Sequence, residues 1–202
     1  MFLLFETIKV INKKLLNVSF HNERINRSRR ELFGSKNEMN LNELVEIPND
    51  RTKDIYKCKV IYSETIKDIE FRKYAPRKIE RVRLVYCNEI DYSYKFLERS
   101  MLDKLLENNL KNDNEDILII KNGRITDTSY SNVALFNGKE WHTPKFPLLK
   151  GTKRAKLIFD KRIYEQDILA GDLEYYEKIV LINAMLEFDA VNSKLIKEFI
   201  IT

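Results

Sequence analysis

Alternation of apolar and polar residues marks three segments of the chain as β-strands. The first, LLFETIKV at residues 3–10, has a period of two and runs into the polar turn INKK. Thr7 and Lys9 fall on one face of this strand because side chains two residues apart point the same way. The stretches DIYKCKVIY and RVRLVYC alternate in the same manner, and Lys57 and Lys59 share a face of the former. The pattern therefore places two pairs of polar side chains on strand faces.

Apolar residues at helical spacing predict several helices. One is expected from about Phe20 to Phe33, followed by Gly34 at the position that favours a left-handed C-cap. A short helix is expected in NLNELVEI, and another begins in KGTKRAKLIF. The apolar residues of FLERSMLDKLLENNL form a stripe about 100° wide, which predicts an amphipathic helix just after Lys95. The stripe consists of Leu97, Met101, Leu102, Leu105 and Leu106.

The second half of the chain is rich in hairpin signals. Both DILIIKNGRIT and NVALFNGKEWHT carry an Asn-Gly pair between strand-like runs, and the β-branched run KIVLIN predicts a buried strand. The sequence thus predicts an α/β protein of the α+β type with much antiparallel pairing. A change from helix-rich to hairpin-rich character near Glu89 predicts a small N-terminal lobe at residues 1–89 and a larger C-terminal lobe at residues 90–202.

Composition narrows the class of protein. With 202 residues, of which 44% are hydrophobic and 33% charged, the chain has a globular balance and enough length for a sizeable core. The early apolar run MFLLF is interrupted by Glu6 and Lys9, so it is too short for a signal peptide or a membrane span. Two cysteines, Cys58 and Cys87, and two histidines fit neither a disulfide framework nor a metal site. We expect a cytoplasmic protein with reduced thiols, no membrane association and no structural metal.

The formal net charge of +5 does not by itself decide what kind of anionic partner the protein binds. Basic residues are scattered among acidic ones, as in KDIEFRKYAPRKIERVR, and no nucleic-acid-binding motif accompanies them. We therefore expect a solvated charged surface and no nucleic-acid partner. Small anionic molecules remain possible ligands.

Six stretches of the chain, taken in order, resemble a known family. They are LLFETIKV, HNERINRS, IDYSYKFLERS, GRITDTSYSNVALF, HTPKFPLLKGTKRAKL and VLINAM. Together they resemble the class IV aminotransferases, which are fold-type IV enzymes that use pyridoxal 5'-phosphate (PLP). The family includes branched-chain and D-amino-acid aminotransferases and aminodeoxychorismate lyase. The resemblance implies PLP as cofactor and a two-lobed fold with a hairpin-rich C-terminal lobe.

Lys95 is the residue to which the resemblance assigns the covalent link with PLP. The family carries this lysine in a segment of the form K-x-x-x-R between a strand and a helix, and YKFLER matches it. A lysine that forms such a link and then moves protons must be largely desolvated, which lowers the pKa of its amine. An isolated lysine is otherwise most often a solvated surface charge.

The resemblance assigns Asp127 to the ring nitrogen of the cofactor and Arg24 to its phosphate. The family has a glutamate in a T-E-x-x-x-x-N context that pairs with the ring nitrogen, and ITDTSYSN puts the shorter Asp127 there. Arg24 in HNER matches the phosphate-binding arginine of the family's H-x-x-R motif. The alternatives are a turn acid that caps its own loop for Asp127 and an exposed helix residue for Arg24.

Two further turns match the cofactor cradle. In LLKGTKR the resemblance implies that Leu149 packs on the cofactor ring and that the N–H groups of Thr152 and Lys153 meet the phosphate. Lysine at position 153 replaces a threonine of the family, and its charge either compensates for the lost hydroxyl or is solvated. INAM places Asn183 and Ala184 at the second phosphate-binding turn.

Two features favour the lyase within the family. Thr7 falls where the lyase carries a threonine linked to the elimination, and INAM resembles the lyase version of the second phosphate turn. The lyase substrate, 4-amino-4-deoxychorismate, carries two carboxylates and lies on the route to folate, so cations must face the pocket. Lys57 is the first candidate for this, followed by Lys59 and Lys9, each of which is otherwise an exposed strand lysine. The alternatives are a D- or branched-chain amino acid aminotransferase and a PLP-binding protein without turnover.

The resemblance also implies a homodimer that acts on a small anionic substrate. Family members usually have a strand and a turn before the segment that FETIKV matches. We therefore expect part of the substrate pocket to be absent or to come from a partner subunit.

Overall fold

Two units make up the computed structural model, which describes residues 2–51, 53–189 and 191–201. The first contains the described residues up to Pro76 together with Tyr94–Glu98. The second contains Arg77–Ser93 and the described residues from Arg99 onward. Both mix helices with β-sheets, so the predicted fold class is confirmed. The strand pairs are antiparallel in the first unit, whereas the second combines antiparallel and parallel pairs.

A four-stranded antiparallel sheet forms the body of the first unit, with strand order β2-β1-β3-β4. The strands predicted in LLFETIKV and DIYKCKVIY are confirmed as β1 and β3, whereas β4 has no counterpart in the prediction. The elements of this unit are β1 (Leu4–Ile11), β2 (Lys14–Leu15), α1 (Val18–Phe33), α2 (Leu41–Leu44), β3 (Tyr56–Tyr62) and β4 (Ile66–Lys73).

The two faces of β1 differ in chemistry. Leu4, Ile8 and Val10 are fully buried in a core to which Ile25 of α1 also belongs. The other face carries Thr7, as the alternation predicts. In the antiparallel register Thr7 lies opposite Lys59 and Lys9 lies opposite Lys57, so the predicted polar pairs share one face of the sheet.

Helix α1 ends where the sequence predicts and begins two residues earlier than Phe20. Gly34 closes it in the left-handed region at φ 67°, and its N–H donates to the carbonyl of Arg30. Asn17, at the other end, is also left-handed at φ 54°. A glycine at position 34 allows this C-cap without the steric cost that a side chain would add.

Arg29 is buried and hydrogen-bonded to carbonyl and amide oxygens. Its guanidinium donates to the backbone carbonyls of Glu64 and Asn37 and to the side-chain oxygens of Asn26 and Asn37, at 2.8 to 3.1 Å. Only 2% of the residue is exposed. Three of these hydrogen bonds thus fasten α1 to the loop after it and to the turn after β3, and the fourth lies within the helix.

Arg29→Met should lower the free energy of unfolding by about 2 kcal/mol, because it removes the four hydrogen bonds of a buried guanidinium and leaves the buried Asn26 Oδ1 without this donor. Urea denaturation at pH 7 measures this. Arg30→Met is the matched control, since the Arg30 side chain is 52% exposed and its ion pair with Glu38 spans 3.4 Å at the surface. Equal midpoints for the two variants would contradict the structural role of Arg29.

Two sheets build the second unit. One has four strands in the order β13-β5-β6-β7 and the other five in the order β10-β9-β8-β11-β12. The elements are β5 (Arg81–Tyr86), α3 (Ser100–Asn109), β6 (Glu115–Lys121), β7 (Arg124–Thr128), β8 (Asn132–Phe136), β9 (Trp141–Pro144), α4 (Thr152–Phe159), β10 (Tyr164–Gln166), a 3-10 helix (Ala170–Tyr175), β11 (Lys178–Ile182), β12 (Lys194–Leu195), α5 (Ile196–Phe199) and β13 (Ile200–Ile201).

Both predicted hairpins are confirmed, with different turns. Asn122 and Gly123 have φ values of 51° and 76°, so they form the two-residue turn that Asn-Gly favours between β6 and β7. Strands β8 and β9 are joined by a four-residue loop at 137–140, where the side chain of Asn137 accepts hydrogen bonds from two backbone N–H groups. Gly138 in that loop has φ 91°.

The helix predicted after Lys95 is shorter than its apolar stripe. Helix α3 begins at Ser100, so Leu97 lies outside it, and Met101 is 40% exposed. The predicted amphipathic helix is therefore confirmed from Ser100 onward, and only the inclusion of Leu97 is wrong. Residues 94–98 are held in the first unit by backbone hydrogen bonds to β1, which prevents them from joining the helix.

The predicted division into two lobes, residues 1–89 and 90–202, stays a prediction. In the structure, β5 pairs in parallel with β6 and belongs to the second unit, which begins at Arg77. None of the helices in the described part of the chain is long and apolar enough to cross a membrane.

Candidate active site

A buried carboxylate organises the site residues of the first unit. Glu6 lies on the core face of β1 and is fully buried. Arg24 of α1 donates to it from Nε at 2.8 Å and from Nη2 at 2.6 Å, and His21 Nδ1 lies 2.6 Å from Oε2. The pairing with Arg24 is bidentate, which fixes the plane of the guanidinium. Arg24 is itself buried, so the alternative of an exposed helix arginine is wrong.

Charge in this triad is balanced at neutral pH. Burial raises the pKa of Glu6, but the charge of Arg24 and the hydrogen bonds from His21 and Arg24 outweigh burial and lower the pKa to about 2. Burial lowers the pKa of His21 below 6.5, although the hydrogen bond with Glu6 opposes this. A neutral His21 therefore donates from Nδ1 to an ionised Glu6, which in turn pairs with a cationic Arg24.

Lys95 is fixed to β1 by the backbone. Its carbonyl accepts a hydrogen bond from Phe5 N at 3.0 Å, and two residues later Leu97 N donates to the carbonyl of Leu3 at 2.9 Å. The Lys95 side chain is partly buried, and its Nζ lies 4.4 Å from the centroid of the Phe5 ring. The predicted lysine is thus held against the face of β1 that carries Phe5.

The same face of the first sheet carries a cationic cleft of about 250 Å³. Thr7 lies within it, and three cations surround this threonine, whereas Glu70 is the carboxylate of the lining and pairs with Arg72 at 2.7 Å. Lys9 is buried and is not part of the lining. The lining consists of Phe5, Thr7, Lys57, Lys59, Glu70, Arg72 and Leu97.

Asp127 organises the site residues of the second unit. Its Oδ1 accepts a hydrogen bond from Asn132 Nδ2 and its Oδ2 one from Leu149 N, each at 2.8 Å. Asn132 Nδ2 also donates to the carbonyl of Leu149 at 2.8 Å. Asp127 is therefore bound to a segment 22 residues away, and the alternative of a turn acid that caps its own loop is wrong. Burial raises the pKa of Asp127 to about 6, while the hydrogen bonds from Leu149 and Asn132 oppose the rise.

The turn before α4 is packed tightly against Asn132. A Cβ atom at Gly151 would lie 1.9 Å from Asn132 Oδ1, so only glycine fits here. Gly151 caps α4 without a side-chain hydrogen bond, and Thr152 in the first turn is buried. N–H groups of a first turn have no carbonyl partner within their own helix and attract anions. Lys153 forms an ion pair with Glu187 at 3.5 Å, so its side chain is neither solvated nor unpaired.

The INAM segment forms a tight turn around Asn183. The Asn183 side-chain oxygen accepts hydrogen bonds from Met185 N at 2.9 Å and Leu186 N at 3.1 Å. Its amide donates to Ser131 Oγ at 2.9 Å, next to Asn132 in sequence. Ala184 lies inside this turn. In the second unit the structure thus links Asn183 to the segment that carries Asp127.

Sequence reasoning missed several polar residues of these clusters. Glu6 was detectable, because it occupies a core position of LLFETIKV and a buried carboxylate requires partners. His21 and Asn132 belong to motifs that were identified, HNER and ITDTSYSN, without being assigned. Arg72 gave no usable signal, since the strand that carries it was not predicted.

Comparison with known proteins identifies the family. The model of the family described as Amino-transferase class IV matches residues 3–193. An uncharacterised protein from Haemophilus influenzae is 34% identical over 187 residues, which are 92% of this chain and 98% of that protein. A solved structure from Haemophilus somnus 129pt, described as a candidate 4-amino-4-deoxychorismate lyase, is 32% identical with a TM-score of 0.85 and covers 93% of this chain and 98% of that one.

More distant structures share the fold. The PLP-bound form of a hypothetical aminotransferase from Mycobacterium tuberculosis is 18% identical, with a TM-score of 0.73, and covers 91% of this chain and 78% of that one. The family match over residues 3–193 and the two relatives above 30% identity show that the chain belongs to the amino-transferase class IV family of enzymes.

Proposed function

We propose that this chain is a PLP-dependent lyase that converts 4-amino-4-deoxychorismate to 4-aminobenzoate and pyruvate, a step of folate biosynthesis in the cytoplasm. The relative from Haemophilus somnus 129pt, described as a candidate for this activity, supports the choice within the family. The cationic cleft around Thr7 carries the proposal. A small anionic substrate and a homodimer are parts of it.

The donor set of the chain fits PLP. Lys95 supplies an amine for the covalent link, and Arg24 supplies a guanidinium whose plane Glu6 fixes. In the second unit, Asp127 is ionised above a pH of about 6 and suits a protonated ring nitrogen, while the first turn of α4 suits a phosphate. When bound, PLP supplies an electron sink for a carbanion at the carbon that bears the substrate amine.

The cleft matches the charge of the proposed substrate. 4-Amino-4-deoxychorismate carries two carboxylates, and the lining offers three cations against one carboxylate that is already paired with Arg72. Phe5 belongs to this lining and also lies under the amine of Lys95. The amine proposed to act on the substrate is therefore adjacent to the cleft proposed to bind it.

The reaction balances without an oxidant or an amino acceptor. Lys95 removes the proton from the ring carbon that bears the amine, and the C–O bond to the enolpyruvyl group on the neighbouring carbon breaks. The ring becomes aromatic as 4-aminobenzoate, and enolpyruvate takes up a proton to become pyruvate. Thr7 contributes a hydroxyl to the lining of the cleft, and we assign to it the donation of a hydrogen bond to the departing oxygen.

The direct test incubates the PLP-loaded protein with 4-amino-4-deoxychorismate in the absence of a 2-oxo acid. Equal amounts of 4-aminobenzoate and pyruvate should accumulate over many turnovers. An aminotransferase would release no 4-aminobenzoate and would turn over only with an amino acid and a 2-oxo acid together. Turnover of the second kind alone would replace the lyase by the aminotransferase.

Thr7→Val should lower kcat by about tenfold to a hundredfold and leave PLP affinity unchanged, because the variant removes a hydrogen bond that strengthens as the C–O bond breaks. Steady-state kinetics and PLP titration measure the two quantities. Thr65→Val, at an exposed residue of the β3–β4 turn, is the control and should keep full activity. A Thr7 variant with normal kcat would remove Thr7 from the reaction.

A further inference from the structure

The second unit contains a cavity of about 410 Å³ that the proposed reaction does not use. It lies beside the β6–β7 turn and is lined by residues 91–93, by the end of that hairpin and by residues 146–148. Its volume falls within the range of small-molecule sites, about 300 to 1,000 Å³. All of its lining belongs to the second unit, whereas the cationic cleft belongs to the first.

One side of this cavity is apolar and aromatic. Phe146, Pro147 and Leu148 follow one another along the chain, and the buried Tyr92 adds a second ring to the lining. Phe146 is 51% exposed, which leaves a large apolar ring accessible to a ligand. A flat apolar ligand that covers this ring would remove its apolar surface from water, which favours binding.

The other side of the cavity carries two cations, Lys121 and Arg124. Asp167 holds the Arg124 guanidinium in a bidentate pair at 2.8 and 3.1 Å, which places it 5.4 Å from the centroid of the Phe146 ring. Asp91 is the carboxylate of the lining, and it already accepts hydrogen bonds from the N–H and the hydroxyl of Ser93. A fixed cation beside an accessible ring suits a ligand with an aromatic ring and a negative charge.

We propose that this cavity is a second ligand site of the protein and that it takes a small aromatic carboxylate. The ring of the ligand packs on Phe146 and Pro147, and its carboxylate meets Lys121 and Arg124. The cavity also adjoins segments that carry residues of the candidate active site. Thr126 and Leu148 line it and directly precede Asp127 and Leu149. Because successive side chains of a strand point to opposite faces, a ligand at Thr126 contacts the reverse side of the strand that carries Asp127.

The test is a calorimetric titration of the PLP-loaded protein with benzoate, and with benzamide as its uncharged analogue. Benzoate should bind saturably with a Kd below about 1 mM, and benzamide should bind at least about tenfold more weakly because it lacks the charge. Absence of saturable benzoate binding up to about 10 mM, or equal affinity for both compounds, would overturn the proposal.

Variants locate the binding. Phe146→Ala and Lys121→Met should each weaken benzoate binding by about tenfold, consistent with loss of a ring contact or a charge. Phe159→Ala and Lys139→Met remove an exposed phenylalanine and an exposed lysine outside the cavity and should bind as the wild type does. Binding that Arg72→Met abolishes and that Phe146→Ala leaves unchanged would place benzoate in the cationic cleft and overturn the second site.

This site does not depend on the lyase reaction, and the two proposals fail separately. Benzoate binding that responds to Phe146→Ala supports the second site even if no 4-aminobenzoate forms from 4-amino-4-deoxychorismate. Only the expectation that 4-aminobenzoate itself occupies the site rests on the proposed function. Competition between 4-aminobenzoate and benzoate in the same titration tests that expectation, and its absence would restrict the site to other aromatic carboxylates.

Discussion

Lys95→Ala is expected to abolish the covalent link to PLP and to lower turnover by about a thousandfold or more, because in the proposed reaction this one side chain supplies both the amine for the link and the base that moves the proton. Absorbance of the bound cofactor and the rate of 4-aminobenzoate formation measure the two losses. The backbone hydrogen bonds of residue 95 to β1 do not involve its side chain, so the variant should fold normally.

Borohydride reduction of the PLP-loaded protein followed by peptide mapping identifies the modified lysine directly. Lys104→Ala, at an exposed position of α3, is the control and should retain both the cofactor and activity. A label on a lysine other than Lys95 would show that the assignment from YKFLER is wrong. Full loss of the label in the Lys104 variant would also show that the assignment to Lys95 is wrong.

The sequence predicted the elements whose patterns are local. Strand β1 follows from the alternation in LLFETIKV, which Glu6 interrupts at a core position, and the turn at Asn122 and Gly123 follows from the positive φ values that this pair accepts readily. Strand β4 was missed because IKDIEFRK is dominated by charged residues and pairs on one side only, with β3. The start of α3 was misplaced because tertiary hydrogen bonds to β1, which no local pattern reveals, hold residues 94–98.

Motif order selected residues that the structure links within the second unit, but it did not predict the partners of these residues. Asp127, Leu149 and Asn183 lie in linked segments of the second unit, as the motifs suggest. The ion pair of Lys153 with Glu187 was not predictable, because it depends on a contact between residues 34 positions apart. Arg72 was not predicted as a cation of the cleft, because the strand that carries it, β4, was not predicted.

Strand β1 connects the chemistry of the first unit. Its core face carries Glu6, which sets the plane of Arg24, and its opposite face carries Phe5 and Thr7 in the cationic cleft. Its backbone N–H at Phe5 donates a hydrogen bond to the carbonyl of Lys95. Because side chains alternate along a strand, one eight-residue segment positions the proposed phosphate ligand and the proposed substrate cleft at the same time.

Glu6→Gln is expected to lower the free energy of unfolding by about 3 kcal/mol at pH 7. The variant keeps the size of the side chain but leaves the buried Arg24 charge without its anionic partner, a loss that typically costs 3 to 5 kcal/mol in proteins. Depression of the Glu6 pKa from 4.5 to about 2 corresponds to a similar value of about 3 kcal/mol. The affinity for PLP should fall as well, because Arg24 is the proposed phosphate ligand and loses the contact that fixes the plane of its guanidinium.

The pH dependence separates this charge effect from a packing effect. The pKa of Glu6 is lower in the folded state than in the unfolded state, so its contribution is fully present above pH 4.5 and is lost as the pH falls toward about 2. Urea denaturation of wild type and Glu6→Gln should therefore differ by about 3 kcal/mol at pH 6 and converge between pH 4.5 and 2. Glu38→Gln, at a side chain that is 75% exposed, should match the wild type throughout. A difference between wild type and Glu6→Gln that stays constant down to pH 2 would mean that Glu6 acts through packing and that its charge contributes nothing.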